Sequence, residues 1–256
     1  MADRIVLLAS DAALSRMVYH ALIDRFGDVG IIIEENVPRT EVLRRRVKKL
    51  GLTTVVGQVL FMALVLPILS RTGGKRIEAI QQAHGLDDSP LSHPVTKVPS
   101  VNSTEARQAL QELNPHVVVV YGTRVIRDHT LRAIDAPFVN VHSGITPLYR
   151  GVHGGYWALA EGRSDLVGTT VHLVDLGIDT GDVIAQATFS VTREDNFATY
   201  PHLHLAGGLP ILLEAVQQSL DGRLSAKRHE PGSPSVLRTH PTLWGYLIRR
   251  LLNGVR

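Results

Sequence analysis

The 256-residue chain contains no cysteine. That absence excludes disulfide-stapled scaffolds, thiolate zinc sites, iron–sulfur clusters and cysteine nucleophiles together. It agrees with a reducing compartment, and a cytoplasmic protein is the expectation. Nor is a secretory leader expected. Met1-Ala-Asp-Arg is followed by only four apolar residues, Ile5-Val-Leu-Leu8, too few for a signal-peptide core, and no small-residue cleavage site follows. Strong net charge is missing as well: 27 Lys and Arg face 24 Asp and Glu, for a net +3. The balance is uneven, however. Between Pro38 and Arg76 stand nine basic residues and one acid, Glu41, so this segment carries +8 and the rest of the chain −5. The overall charge is therefore no argument for nucleic acid, and none is expected as a partner. No internal repeat or long low-complexity tract occurs. What the chain does have is a hydrophobic fraction of 44%, ample for a packed core and incompatible with full disorder.

The patterning predicts an α/β protein. Ile5–Leu8 reads as a buried first strand. Ser10 and Asp11 are candidate caps for a helix over Ala12 to Arg25, and Val29 to Ile33 is a second short strand. The pattern resumes after Val95. Asn102-Ser-Thr-Glu105 opens a helix to about Leu113, and His116–Tyr121 is a strand buried on both faces. A helical stretch from Asp128 to Ile134 and a strand over Pro137–His142 follow. Val167–Val174 and Val183–Phe189 read as two more strands, and Tyr200 to Leu220 as a long helix. The expected organisation is a domain over residues 1–220 carrying an insert over 38–76. A tail over 221–256 holds Pro231, Pro234 and a last helix near Leu243 to Leu252.

The insert is unusual. Arg44-Arg-Arg-Val-Lys-Lys49 precedes Leu50 to Ser70, a run without formal charge, and Arg71 closes it. The run is long enough to span a bilayer. Thr53, Thr54, Gly57 and Gln58 nonetheless form a weak polar stripe, and Pro67 lies near the end. A helix lying in the membrane interface, its basic flank over residues 44–71 on anionic headgroups, fits better and would place the protein at the inner face of the membrane. The plainer alternative is a helical insert packed on the body or on a second copy of the chain, as in a homodimer.

Asn140 and His142 stand two apart on one strand, so both side chains project from the same face near the strand's C-terminal end, where open α/β sheets place their sites. An amide donor beside an imidazole suits an oxyanion developing at an acyl carbon, and a neutral imidazole suits proton transfer. The alternatives are a turn-capping Asn and a core His. Asp175-Leu-Gly-Ile-Asp-Thr-Gly-Asp182 supplies carboxylates that could orient that imidazole, or simply forms a solvated turn. His202 and His204 sit at a helix start, where positions two apart diverge, and no metal site is expected. Tyr156 and Trp157 read as core, and Trp244 and Tyr246 as packing on the body or a partner.

Taken as a set, Asn140-Val-His142, Leu148-Tyr-Arg-Gly151, Trp157-Ala158, Gly168-Thr-Thr-Val-His172 and Asp175-x-Gly-Ile-Asp-Thr-Gly181 resemble the formyltransferases that use 10-formyltetrahydrofolate, over roughly residues 95 to 190. The resemblance implies a Rossmann-like formyltransferase fold: a mostly parallel central sheet, a helical basic-apolar insert and a short C-terminal helical tail. It places the catalytic trio on Asn140, His142 and Asp179, the first two stabilising a tetrahedral oxyanion while Asp179 tunes His142. It places the folate co-substrate against Gly122, Thr123, Arg124 and Ile126 and against the loop of Asp175 and Gly177. Tyr149, Arg150 and His153 fall where the acceptor would bind.

Departures from the family narrow the acceptor. After the first strand stands Ala9-Ser-Asp-Ala-Ala13, without the glycine-rich phosphate loop of the glycinamide ribonucleotide branch. The methionyl-tRNA branch carries a further C-terminal domain, for which the residues after Leu220 are too few. What remains resembles the nucleotide-sugar formyltransferases, and that resemblance implies the acceptor: the primary amine of a nucleotide-linked amino sugar, of the 4-amino-4,6-dideoxy kind, used in surface polysaccharides such as lipopolysaccharide O-antigen. A small non-sugar amine, or a non-catalytic binding module, are the alternatives.

Overall fold

The computed structural model describes residues 5–91, 93–230 and 232–256; Met1–Arg4 and Pro231, cited above, lie outside them. In chain order the elements are β1 (Ile5–Ser10), α1 (Ala13–Phe26), β2 (Gly30–Glu34), α2 (Arg39–Leu50) and α3 (Leu52–Leu60). A π-helical turn (Phe61–Val65) then leads into α4 (Leu66–His84). There follow β3 (Thr96–Val98), α5 (Thr104–Leu113), β4 (Val117–Tyr121), α6 (Asp128–Leu131), β5 (Phe138–His142), β6 (Tyr149–Gly151) and α7 (Gly154–Ala160). The chain continues through β7 (Gly168–Leu173), β8 (Val183–Thr188), α8 (Tyr200–Leu220), β9 (Val236–Arg238) and α9 (Leu243–Asn253).

Seven strands form one sheet in the order β3-β2-β1-β4-β5-β7-β8. The first five are parallel, and β7 and β8 are antiparallel to their neighbours. The central strands are continuous apolar runs such as Val117–Val120 because helices cover both faces. One core packs α1, α7 and α8 on one side around Leu7, Val119 and Val171, and a smaller one packs α5 on the other around Val6, Ile32 and Val118. The expected mostly parallel Rossmann-like sheet is therefore present.

Several details differ from the sequence reading. Helix α1 has Ala12 as its N-cap, with no side-chain cap, because Ser10 is still strand and faces the cleft. The α6 helix closes at Leu131 rather than running to Ile134. The insert does not end at Arg76. From Leu52 the chain is helical through His84, and Arg76 lies inside that helix, its guanidinium bound to buried Asp195 at 2.8 Å. The tail is not purely helical either. Its β9 pairs in parallel with β6, and three-residue strands carry no alternation by which a sequence could betray them.

Candidate active site

Strand β5 ends at His142, and the antiparallel partner β7 sets His172 directly opposite Asn140. Across that pair the Asn140 amide nitrogen lies 3.0 Å from His172 Nε2. His172 Nδ1 donates to the Leu173 carbonyl at 2.7 Å, which leaves Nε2 to accept and fixes which end of the Asn140 amide points where. One Asn140 N–H is thus held and the second is left for the cleft.

His142 is buried. Its Nε2 donates to the Tyr149 carbonyl at 2.6 Å, and its Nδ1 faces Asp179 Oδ2 at 3.4 Å. Burial pushes the imidazole below its ordinary range, against the Asp179 charge and the Tyr149 carbonyl, which favour the proton. The ring is therefore neutral at neutral pH, and the nitrogen available for a proton is the one beside a carboxylate.

Asp179 sits in the left-handed region at φ 51, a conformation Asp tolerates better than most residues. Its carboxylate accepts the Gly151 N–H at 2.8 Å and lies 3.7 Å from His172 Nε2. Burial alone would raise it. The His172 imidazole, the His142 ring and the Gly151 N–H together hold it below the ordinary carboxylate range. The loop that presents it is built by its own side chains: Asp175 accepts the Gly177 N–H at 3.0 Å and the Thr180 hydroxyl at 2.7 Å. At Gly181 a Cβ would stand 1.7 Å from the Leu173 carbonyl oxygen, so only glycine closes the turn.

These groups line a cavity of about 760 Å3, within the range that holds small ligands. Asn140, His142 and Asp179 meet there, as do Gly122, Thr123, Arg124, Ile126, Asp175, Gly177 and His153. Tyr149 and Arg150 are not in the lining. The Tyr149 hydroxyl donates to Glu161 at the end of α7 at 3.0 Å, and Arg150 donates to the Ile178 carbonyl at 2.9 Å, bracing the loop that carries Asp179. Arg124 lines the cavity, but its charge is committed: its Nε lies 3.2 Å from buried Glu34, which also accepts the Arg124 and Val101 N–H groups. Apolar Val120, Ile126 and Val174 line the cavity beside this braced backbone.

Residues the sequence reading missed also line the cavity. Besides His172 these are Arg45, Arg46 and Lys49 of α2, Gln58 of α3, and Thr239 and His240 of the tail. His153 Nε2 and His240 Nδ1 share a proton at 2.9 Å. Burial, then each other's proximity and Arg46, push His153 to about 3; burial and Arg46 push His240 to about 4. His204, bonded to Thr169 at 3.1 Å, is pushed by burial to about 3. Among the described residues no group of three or more His, Cys, Asp or Glu is placed to hold a metal.

These neutral histidines make stability depend on pH. Below the ordinary value of 6.5 the unfolded chain takes up protons that the folded chain refuses, so stability is complete above that value and falls with falling pH. Fully buried His204 alone accounts for up to about 1.4 kcal/mol per pH unit. Thermal melting should therefore drop steadily between about pH 6.5 and 5; a flat profile there would contradict the buried neutral assignment.

The sheet's topological switch lies between β1 and β4. Asn140 and His142 on the next strand, β5, and Asp179 on the β7–β8 loop converge in one cavity, and an amide donor, an imidazole and a carboxylate so placed suit acyl transfer. A family model described as formyl transferase matches residues 77–212, more than half of the chain, and the chain belongs to that family. It is 33% identical over 132 residues to methionyl-tRNA formyltransferase of Caldanaerobacter subterraneus, a match covering 50% of this chain and 42% of that one. The chain spans about half the length of the curated relatives it matches. Its fold is shared with glycinamide ribonucleotide transformylase 1 of Symbiobacterium toebii (TM-score 0.57, 21% identity, 92% of this chain and 94% of that chain). It is also shared with an N-formyltransferase of Helicobacter canadensis, solved with folinic acid and dTDP-3-aminofucose (TM-score 0.55, 15% identity, 92% and 70%).

Proposed function

We propose that this chain transfers a formyl group from 10-formyltetrahydrofolate to the primary amine of a phosphate-bearing amino sugar, with a nucleotide-linked sugar as the acceptor. The observation that carries this reading is the convergence of Asn140, His142 and Asp179 in one cavity, each already oriented by a second protein group. Folate would lie against Gly122–Ile126 and the Asp175–Asp179 loop. The neutral amine attacks the formyl carbon, a carbon–nitrogen bond forms, and the carbonyl electrons move onto oxygen. The free N–H of Asn140 stabilises that oxyanion. His142 Nδ1 removes the proton from the new ammonium, and the resulting imidazolium sits between the Tyr149 carbonyl and Asp179, both acceptors. Return of that proton to the folate nitrogen accompanies cleavage of its bond to the formyl carbon, and tetrahydrofolate leaves.

Arg45, Arg46 and Lys49 bring three cations to the cavity, of which Arg45 is paired with Glu41. They suit the phosphate of the acceptor. Reversing Arg46 and Lys49 to Glu should raise the acceptor KM at least about tenfold and leave the folate KM nearly unchanged. A rise in the folate KM instead would assign α2 to the acidic tail of folate. The acceptor itself is tested by supplying labelled formyl donor with a 4-amino sugar nucleotide, methionyl-tRNA and a free amino acid. Label in the sugar is the expected result, and label in the tRNA alone would support the activity named for the sequence relatives.

A further inference from the structure

Leu52–His84 is long and apolar enough to cross a membrane, yet its inner face is fastened to the body. Phe61 is fully buried between Phe197 and Tyr246, each ring 4.9 Å away. Gln58 donates to the His240 carbonyl at 2.8 Å and Asn196 to that of Leu69 at 3.2 Å. A spanning helix would forfeit all of these. The outer face is a different matter: Leu64 is 55% and Ile68 63% exposed, and no charge interrupts the run from Leu50 to Ser70. Helix α9 lies alongside. At Gly57 a Cβ would meet the Trp244 ring at 2.4 Å, so glycine admits the tail helix. On α9, Leu251 is 84% and Leu252 78% exposed. Two adjoining helices thus present uncovered apolar side chains, more than isolated surface leucines explain.

The rim of this surface is cationic. Exposed Arg44 and Lys48 precede it on α2, Arg71 and Lys75 follow it on α4, and Arg250 edges α9. No acid occurs between Glu41 and Glu78, nor from Leu243 to Arg256. A second copy would bring the same cations against these; an anionic lipid surface complements them. We infer that the outer faces of α3–α4 and α9 dock in the interface of an anionic bilayer. Gln58 of α3, and Arg45, Arg46 and Lys49 of the adjoining α2, line the cavity, so docking sets its mouth at headgroup level. The inference rests on the formyl-transfer reading only for what the cavity does there.

The test is co-sedimentation of the full chain with vesicles of phosphatidylcholine alone or with about one third phosphatidylglycerol. Binding to the anionic vesicles and little to the neutral ones is expected. Leu64→Asp with Ile68→Asp should cut that binding at least about tenfold, as should Arg44→Glu with Lys48→Glu. None of the four lines the cavity, so tetrahydrofolate release with a soluble acceptor should persist in both variants, and unchanged melting would show that they fold. Failure of the wild-type chain to bind anionic vesicles would overturn the inference, as would a dimer in solution that the Leu64/Ile68 variant dissociates. Vesicle binding without formyl transfer would leave docking standing and remove the catalytic reading instead.

Discussion

Replacing His142 by alanine is expected to slow formyl transfer by about three orders of magnitude while changing folate affinity little. The ring is neutral by burial and backed by a carboxylate, so its loss removes the proposed route for the ammonium proton. Asn140→Ala should cost about 10²–10³ in kcat, the usual penalty for one oxyanion donor. His172→Phe should fall between wild type and Asn140→Ala. It leaves the Asn140 amide present but no longer held by the 3.0 Å contact, and the loss should appear in kcat rather than in either KM. An equal loss in KM would mean that His172 shapes binding rather than holding Asn140.

Phe61→Ala should produce the largest change in stability. The side chain is fully buried and stacks edge-on against Phe197 and at a tilt against Tyr246. It therefore joins the insert, the loop before α8 and the tail helix in one aromatic cluster. Truncating a buried phenylalanine costs about 3–5 kcal/mol, which for a chain of this size lowers Tm by roughly 10 °C. The damage should be local as well. Gln58 and Arg46 line the cavity from the same insert, so acceptor KM should rise together with the fall in Tm. An unchanged melting temperature would show that the insert is not packed on the body as described.

Much of this was readable from residue order. The central strands announce themselves as unbroken β-branched runs, and α8 begins and ends where the apolar pattern does, at Tyr200 and Leu220. Asn140 and His142 were found because spacing by two on a strand fixes a common face. Asp179 came only through the resemblance, since nothing local says which aspartate of its loop turns inward; the left-handed φ at that residue settles the geometry in three dimensions. His172 stands inside a shared motif, and nothing local to it signals a task. Its role depends on the antiparallel register of β7 against β5, a pairing across 32 residues. The basic stretch of α2 illustrates the same limit. Its charge was evident, but that Arg46 and Lys49 line the cavity while Arg44 and Lys48 face outward follows from how the helix is laid across the body. Likewise, Arg76 counted as part of a +8 insert, although a carboxylate 119 residues away neutralises it. Tyr149 and Arg150, expected against the acceptor, stand outside the cavity lining: the Tyr149 carbonyl holds His142 and Arg150 braces the loop of Asp179.

The central claim is that Asn140, His142 and Asp179 move a formyl group from folate to an amine. The most direct measurement is acceptor-dependent release of tetrahydrofolate, followed in parallel with formyl label appearing on a 4-amino sugar nucleotide. Equal amounts of the two products are expected from the wild-type chain, and from His142→Ala both at a rate lower by about three orders of magnitude. Tetrahydrofolate release that needs no acceptor, or turnover undiminished in the variant, would contradict it.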